Sequence, residues 1–568
     1  LSFIVILGWF VLFPPQETET LSEPPLQTTD ANASEAVVPA NAGSASIPAE
    51  DSASSTEALD TAPRIAVETA RIAGSISLLG GRVDDLYLKD YNTTIEEDAP
   101  TVRLLSPAGS TDAYYALYGW APGAGISPDQ VPGPSTLWSL SDGETLSVDA
   151  PVTLTWDNEA GQVFSRTISI DENYMFKIDQ TITNSAENSV SLAPYGLIAR
   201  HGIPSDAQNF FILHEGLVTM NNGELLETAW DDIPDLDVVN GVPSKRIDGV
   251  TNGWIGFTGH YFMTNLIPDP AQPTRLTVKY LPRTEIFQTE AVMPTQVVAS
   301  GQAATVSTQL FAGAKEWEIL RAYEAQGVYK FIDSIDWGWF FFLTKPIFWV
   351  LHHLNLLIGN MGVAIIGLTL LIKALLFPLA YKSYVSMAKM KELQPQMEKL
   401  KKDAGDDRQK LQQGMMELFF SLYKVIFVTL ELRHAPFFGP FQDLSAPDPT
   451  SIYNLYGLLP WGAPEAGTVL ALVFIGILPL LLGISMFLQQ KLNPAPTDPT
   501  QQMIFAWMPW VFMFMLGGFA SGLVVYWIAN NTITFTQQYL IMRSQGYKPD
   551  ILGNIKGSMK LGRKGDPK

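Results

Sequence analysis

Cysteine is absent from all 568 residues. That excludes a disulfide scaffold, a thiolate nucleophile and Cys-ligated zinc or iron–sulfur sites. A chain this long can bury more than one core, so missing disulfides are no handicap. Charged residues are scarce, at 16%, yet the net charge is −21. Mean hydropathy is slightly positive, at +0.11, so apolar residues must be concentrated in part of the chain. Basic residues are scarce in one part only. Residues 1–330 hold 16 Lys and Arg against 42 Asp and Glu, a balance of −26, whereas residues 331–568 stand at +5. The pattern describes two bodies, one acidic and polar, the other apolar and slightly basic. An acidic body of this size argues against DNA or RNA as its partner. Also missing are an HExxH pair, a P-loop and a GxSxG elbow in the context each needs. His201 and His260 are the candidates for a sugar site, but a satisfied structural histidine is the simpler reading of each.

The chain opens in an apolar run, residues 1–13, read as a truncated N-terminal transmembrane segment, with a signal peptide as the rival. Residues 14–62 are rich in Ala, Ser, Thr, Pro and Glu and almost lack aromatics, a composition expected of a disordered tether. Residues 63–330 alternate with period two in short runs: 74–80, 152–156, 166–170, 177–182, 275–280 and 304–310. Strands at that spacing indicate a large antiparallel β-sandwich. A helix over 315–331 is expected to lead out of it.

The rest reads as an α-helical transmembrane bundle of about five spans plus the N-terminal one. Residues 358–381 and 467–490 match the ~20 residues that cross hydrocarbon. Residues 503–541 hold two more spans around Gly517-Gly518, and 415–433 is a shortened one. Residues 337–357 carry Lys345-Pro346 and His352-His353 and stand too close to the next span to cross back. They are expected to lie in the interface as an amphipathic helix. Lysines crowd 382–414, read as a helical hairpin, and the tail 542–568, whereas the loop 434–466 has no Lys or Arg beyond Arg433 at its edge. Basic loops face the cytoplasm, so the hairpin, the 491–502 loop and the tail lie inside and the acidic sandwich outside, in the periplasm.

Lys373 is the sharpest feature. A cation within an apolar span costs at least ~2.5–3.5 kcal/mol unless it faces a partner or a cavity. The alternatives are a lysine snorkelling to the cytoplasmic face and a cation in a wet groove. Thr369, four residues earlier, shares its helix face. The last span carries Ser521, Asn530, Asn531, Thr532, Thr534, Gln537 and Gln538, too many polar groups for a helix surrounded by lipid. They either pair with neighbouring helices or line a hydrated cavity, with Tyr526 and Trp527 as wall or interface-belt aromatics. Met387, Met390 and Met397 recur along the hairpin, most simply as the seam between its two helices, and their thioethers also suit an adaptable apolar surface for contact with clients or partners.

Four stretches carry a resemblance: Ser386-Met-Ala-Lys-Met-Lys-Glu-Leu-Gln-Pro395; Glu431-Leu-Arg-His-Ala-Pro-Phe437 with Asp443-Leu-Ser-Ala-Pro-Asp-Pro449; Met508-Pro509; and Ser521-Gly-Leu-Val-Val-Tyr-Trp527. Together they resemble the YidC/Oxa/Alb family of membrane protein insertases, of the bacterial type with a large periplasmic domain. The resemblance implies a β-super-sandwich in the periplasm and an inner-membrane insertase and chaperone that works through a hydrophilic groove, alone or with the Sec translocon. It places the groove cation at Lys373, the groove threonine at Thr369 and the aromatic pair at Tyr526 and Trp527; Ser521 and Asn530 join the candidate groove residues from the polarity of the last span. It implies nascent inner-membrane proteins as clients. Ribosome and signal-recognition-particle contacts fall to the hairpin and tail, with membrane lipids around the bundle and no cofactor. About twenty residues usual between hairpin and third span are missing after Met415, so that span is expected to be short, ~27 Å at 1.5 Å per residue over 415–432. A small-solute transporter would need internal repeats, and none is seen. A membrane-anchored periplasmic carbohydrate-active protein leaves Lys373 unexplained.

Overall fold

The computed structural model describes residues 61–96, 98–207, 213–338, 340–378, 439–455, 475–492 and 499–544, with 381, 437, 459 and 464. The hairpin with Met387, Met390 and Met397, the 415–433 span, the tether apart from 61–62 and the N-terminal run lie outside these residues, as does the tail beyond 544.

Two large sheets form the first body, one of twelve strands and one of nine. The period-two runs become strands where expected. Gln162–Ile170, for example, buries Gln162, Phe164, Arg166, Ile168 and Ile170 and turns the residues between them outward. Its neighbour Met175–Asn184 runs antiparallel to it and, on the other side, to Gln302–Ala314, from Met175 opposite Phe311 to Asn184 opposite Gln302. Pairing is antiparallel nearly throughout; Arg64–Glu68 meets Thr145–Leu146 in parallel.

The middle of the larger sheet is covered on both faces. In Tyr114–Pro122, Tyr114, Ala116, Tyr118 and Trp120 enter the core shared with the other sheet. Tyr115, Leu117 and Ala121 join a second cluster with Tyr195, Leu197 and Val292. Gly119 pairs with Tyr195 and Gly196 with Tyr118 across the adjacent strand Val190–His201. A Cβ on either glycine would collide with the tyrosine opposite it. The two glycines therefore let both rings lie flat on the sheet.

Arg166 is the odd member of the inner face. It is 1% exposed, and its guanidinium donates to Tyr118 O at 2.5 Å, Gly81 O at 2.9 Å and Gly80 O at 3.3 Å. The cation stands over the Trp138 ring, 4.6 Å from its centroid. Burial lowers its pKa to about 10, the direction expected for a cation taken out of water. The two histidines considered for a sugar site pack as structural residues: His201 ends a strand beside Tyr115, and His260 stacks on Tyr261.

The exit helix α1 spans Trp317–Ala325, shorter than the 315–331 expected, because Gly327 turns out of the helix at φ 115°. Its lead-in residue Glu316 accepts from Arg71 at 2.6 Å, Tyr174 at 2.8 Å and Tyr91 at 2.9 Å. Burial, with the Glu316 charge nearby, pushes the Tyr91 and Tyr174 phenols above their usual pKa and keeps them protonated as donors.

Among the described residues five further helices follow: α2 Phe341–Ile358, α3 Met361–Leu375, α4 Ile477–Leu492, α5 Pro499–Leu516 and α6 Ser521–Ser544. By length and composition α2 is apolar enough to cross a membrane; α3, α4 and Ile504–Leu516 are shorter apolar helices. Among the described residues, the helix that meets the length and hydropathy of a span is therefore the one read from sequence as interfacial. Its contacts show how it sits. Phe348 packs edge-on against Trp317 and Trp337, at 5.6 and 5.5 Å. Lys345 donates to Asp333 at 2.5 Å, and His352 meets Glu318 at 2.9 Å. One face of α2 is thus bound to the β-domain's exit, while Phe341, Phe342, Trp349, Leu356 and Leu357 remain exposed. Gly359 ends α2 in the left-handed region, and Asn360 at once caps α3, accepting from Val363 N at 3.0 Å.

Candidate functional site

α6 packs against both α3 and α4, and this arrangement brings the polar residues of two helices together. Lys373 Nζ donates to Thr534 Oγ1 at 2.8 Å. The Thr534 hydroxyl in turn donates to Asn530 O at 2.6 Å. Its proton is therefore committed to the backbone, which leaves a lone pair aimed at the ammonium. Thr534 and Gln538 are buried and Lys373 is half-buried. Thr369 is buried one turn before Lys373, and its hydroxyl donates to Ile365 O at 2.8 Å. Lys373 thus meets Thr534 across α3 and α6, with the Asn530 carbonyl behind the hydroxyl, while Thr369 bonds within its own helix; sequence reasoning counted Thr534 among the polar residues of the last span but not among the site candidates.

Ser521 does not join them. It stands thirteen residues from Thr534, ~20 Å along a helix axis, fully buried with its N–H on Ala446 O at 2.7 Å. Its polarity belongs to the helix start rather than to the Lys373 cluster. Tyr526 and Trp527 lie between these ends, partly buried against the bundle core, and Trp527 meets Phe519 edge-on at 6.0 Å. Three further polar groups of α6 bond elsewhere. Asn531 donates to Ser485 of α4 at 3.2 Å. Thr532 and Thr536 donate to their own helix at Ile528 O and Thr532 O.

The segment from Phe437 to Ser451 gathers the starts of three helices. Asp448 Oδ2 accepts from Leu478 N at 2.7 Å, and Thr450 Oγ1 accepts from Ile477 N at 2.9 Å. Asp448 Oδ1 takes the Thr450 N–H at 2.8 Å and its O–H at 2.6 Å. Burial pushes the Asp448 carboxyl above the usual carboxylate pKa, against the opposing pull of the Thr450 and Leu478 bonds. The carbonyls of Ala446 and Leu444 accept from Ser521 N and Gly522 N. Asn360 Nδ2 donates to Phe437 O at 3.0 Å. Sequence reasoning quoted Asp448 within a stretch that carries the resemblance but gave it no role, and it passed over Asn360. Both carried a signal, an Asp-Pro-Thr turn and an Asn directly before an apolar run.

Comparison with known proteins identifies the family. The model for the YidC periplasmic domain matches residues 64–350, and that for the 60Kd inner membrane protein matches 353–421 and 417–548. The chain is 65% identical to the membrane protein insertase YidC of Roseobacter denitrificans, covering 100% of this chain and 98% of that one. It is 60% identical to that of Ruegeria pomeroyi, at the same coverage. The chain belongs to the YidC family of membrane protein insertases. A crystal structure of an active YidC insertase with its first transmembrane domain resolved overlaps 84% of this chain and 94% of its own, at 16% identity and a TM-score of 0.31. That overlay is loose, and the assignment rests on the sequence relatives.

Membership makes the chain an inner-membrane insertase with a periplasmic β-domain, and it favours neither the transporter nor the carbohydrate-active alternative. The inner-membrane match is split, its two pieces overlapping at 417–421. The alignment with the Roseobacter relative is 593 residues long, against 568 in this chain.

Proposed function

We propose that the chain inserts its clients through a polar groove at Lys373, with Thr369, Asn530, Tyr526 and Trp527 along its wall. One observation supports this above the rest. The Lys373 ammonium, in the otherwise apolar α3, is held on Thr534 of the polar α6, so the bundle keeps a cation where a hydrocarbon-facing lysine is costly. A polar client segment that enters there exchanges water for fixed donors and acceptors, and its apolar part then partitions into lipid. No covalent step is involved, and the chain acts as an insertase rather than an enzyme. In this reading α3, the 415–433 segment, α4, α5 and α6 cross the membrane with the N-terminal span, and both termini lie in the cytoplasm. α2 lies in the interface beneath the periplasmic domain. Met387, Met390 and Met397 of the hairpin, with the basic tail, meet the ribosome and the signal-recognition-particle pathway. The Sec translocon is a further partner, the chain working alone or with it.

The test is reconstitution into liposomes with a short single-span client, scored by protease protection. Protection above that of empty liposomes is expected; none would remove the insertase reading for this chain.

A further inference from the structure

We propose that Asp448 is a positioning residue for insertion, the centre of a periplasmic clamp that sets the register of α4 and α6. The proposal rests on the groove reading only for its effect on clients. A helix leaves its first four N–H groups without intrahelical partners, and at the edge of hydrocarbon each one left bare is costly. Here the acceptors are supplied by one short stretch. Asp448 and Thr450 receive Leu478 and Ile477 at the start of α4. The carbonyls of Leu444 and Ala446 receive Gly522 and Ser521 at the start of α6. Because each residue turns a helix by ~100° and advances it by 1.5 Å, only one register of each helix meets these fixed acceptors. That register points Asn531 at Ser485 and Thr534 at Lys373. The carboxylate reaches the α4 start because residue 476 is glycine: a Cβ there would collide with the Asp448 carboxylate. The carboxylate also faces the positive end of the α4 dipole. Asp448 thus acts on the Lys373 cluster through the two helices, without touching it.

The natural absence of cysteine permits a direct readout. Ser485→Cys with Asn531→Cys places a thiol pair across the α4–α6 contact, and its rate of oxidation in membranes reports register. Asp448→Ala and Gly476→Ala are expected to slow that oxidation at least about fivefold, the loss of one hydrogen bond of ~1 kcal/mol. Thr450→Ser, which keeps the hydroxyl, is expected to match the parent. The same slow variants should lower the ratio of insertion of an acidic-tailed client to that of a neutral-tailed one. A purely structural residue would instead lower both clients in step with protein level. Unchanged oxidation in Asp448→Ala and Gly476→Ala overturns the clamp, as does a loss that only follows protein level. Lys373→Leu serves as the control. It should leave oxidation at the parental rate, and if it also leaves the client ratio unchanged, the groove reading fails while the clamp stands on the oxidation rates.

Discussion

Lys373 and Thr534 stand 161 positions apart in the chain, yet the ammonium donates to the hydroxyl at 2.8 Å. The bond ties α3 to α6 inside the bundle and gives the cation a neutral partner rather than a carboxylate. Among the described residues a neutral partner leaves the positive charge uncompensated, and an acidic segment is attracted to it more strongly than it would be to an ion pair. The threonine orients the charge without cancelling it.

The first prediction follows from that arrangement. Lys373→Arg should retain insertion, since the charge stays and donors are added. Lys373→Leu should slow insertion of an acidic-tailed client about tenfold, the equivalent of ~1.4 kcal/mol, and Lys373→Glu should do worse through repulsion. Thr534→Val should show a smaller loss with the same preference. A snorkelling lysine predicts the opposite, because the leucine variant makes the span more apolar. Paired clients differing only in tail charge, assayed at matched protein levels, decide it. Full activity of Lys373→Leu on the acidic client would end the groove role.

What could be read in advance depended on how far apart the partners lie. Half-buried strands such as Gln162–Ile170 announce themselves by alternation. Tyr114–Pro122 and Ile286–Val292 are buried on both faces and show no period, so nothing marked them. Lys373 and Thr369 were legible because polarity in an apolar run is locally anomalous. The partner of Lys373 was not, since several polar residues of α6 were equally plausible and only packing selects Thr534. Ser521, expected along the groove, is buried at the start of α6, and in sequence a polar residue looks alike whether it faces a client or sits at a helix start. Arg166 sits in an alternating strand at an inward position, where an apolar residue is the ordinary expectation.

Deleting residues 63–312 should leave insertion of short clients within about twofold of wild type at matched expression, a change below ~0.5 kcal/mol. The candidate groove residues all follow residue 360. The cut also spares Trp317, Glu318, Asp333 and Trp337, which hold Phe348, His352 and Lys345 of α2. Extending the deletion through residue 337 removes those contacts and should cost more. Loss of insertion with the shorter deletion would show that the β-domain takes part directly.

Arg166 should prove a main support of the β-domain. Replacing it with Met keeps much of the volume but strands the Gly80, Gly81 and Tyr118 carbonyls. Buried acceptors without partners cost ~1–3 kcal/mol each where water cannot reach them, so a loss of ~3–5 kcal/mol is expected. The Arg166→Lys variant retains charge but not the planar fork that serves three carbonyls, and should fall between. Thermal unfolding of the purified protein, followed by tryptophan fluorescence, gives the order; a Met variant as stable as wild type would refute it.

Asp448 carries a pH signature. Its pKa is raised in the folded protein, mainly by burial, so the native state holds the proton more tightly than the unfolded chain does. By linkage, this group's contribution to stability is fully present below the ordinary carboxylate value and is lost as pH rises through the raised one. Asp448→Asn does not titrate, so it removes that dependence. The amide also presents N–H where the carboxylate accepts, at either Leu478 N or the Thr450 donors, so the variant should be less stable than wild type. The gap in Tm between the two should widen on moving from neutral to mildly acidic pH, because wild type gains a contribution that the asparagine lacks. Parallel unfolding curves in detergent at both pH values measure it. A gap that narrows on acidification would mean that the carboxylate is held below, not above, its usual value, with the Thr450 and Leu478 bonds and the α4 dipole outweighing burial.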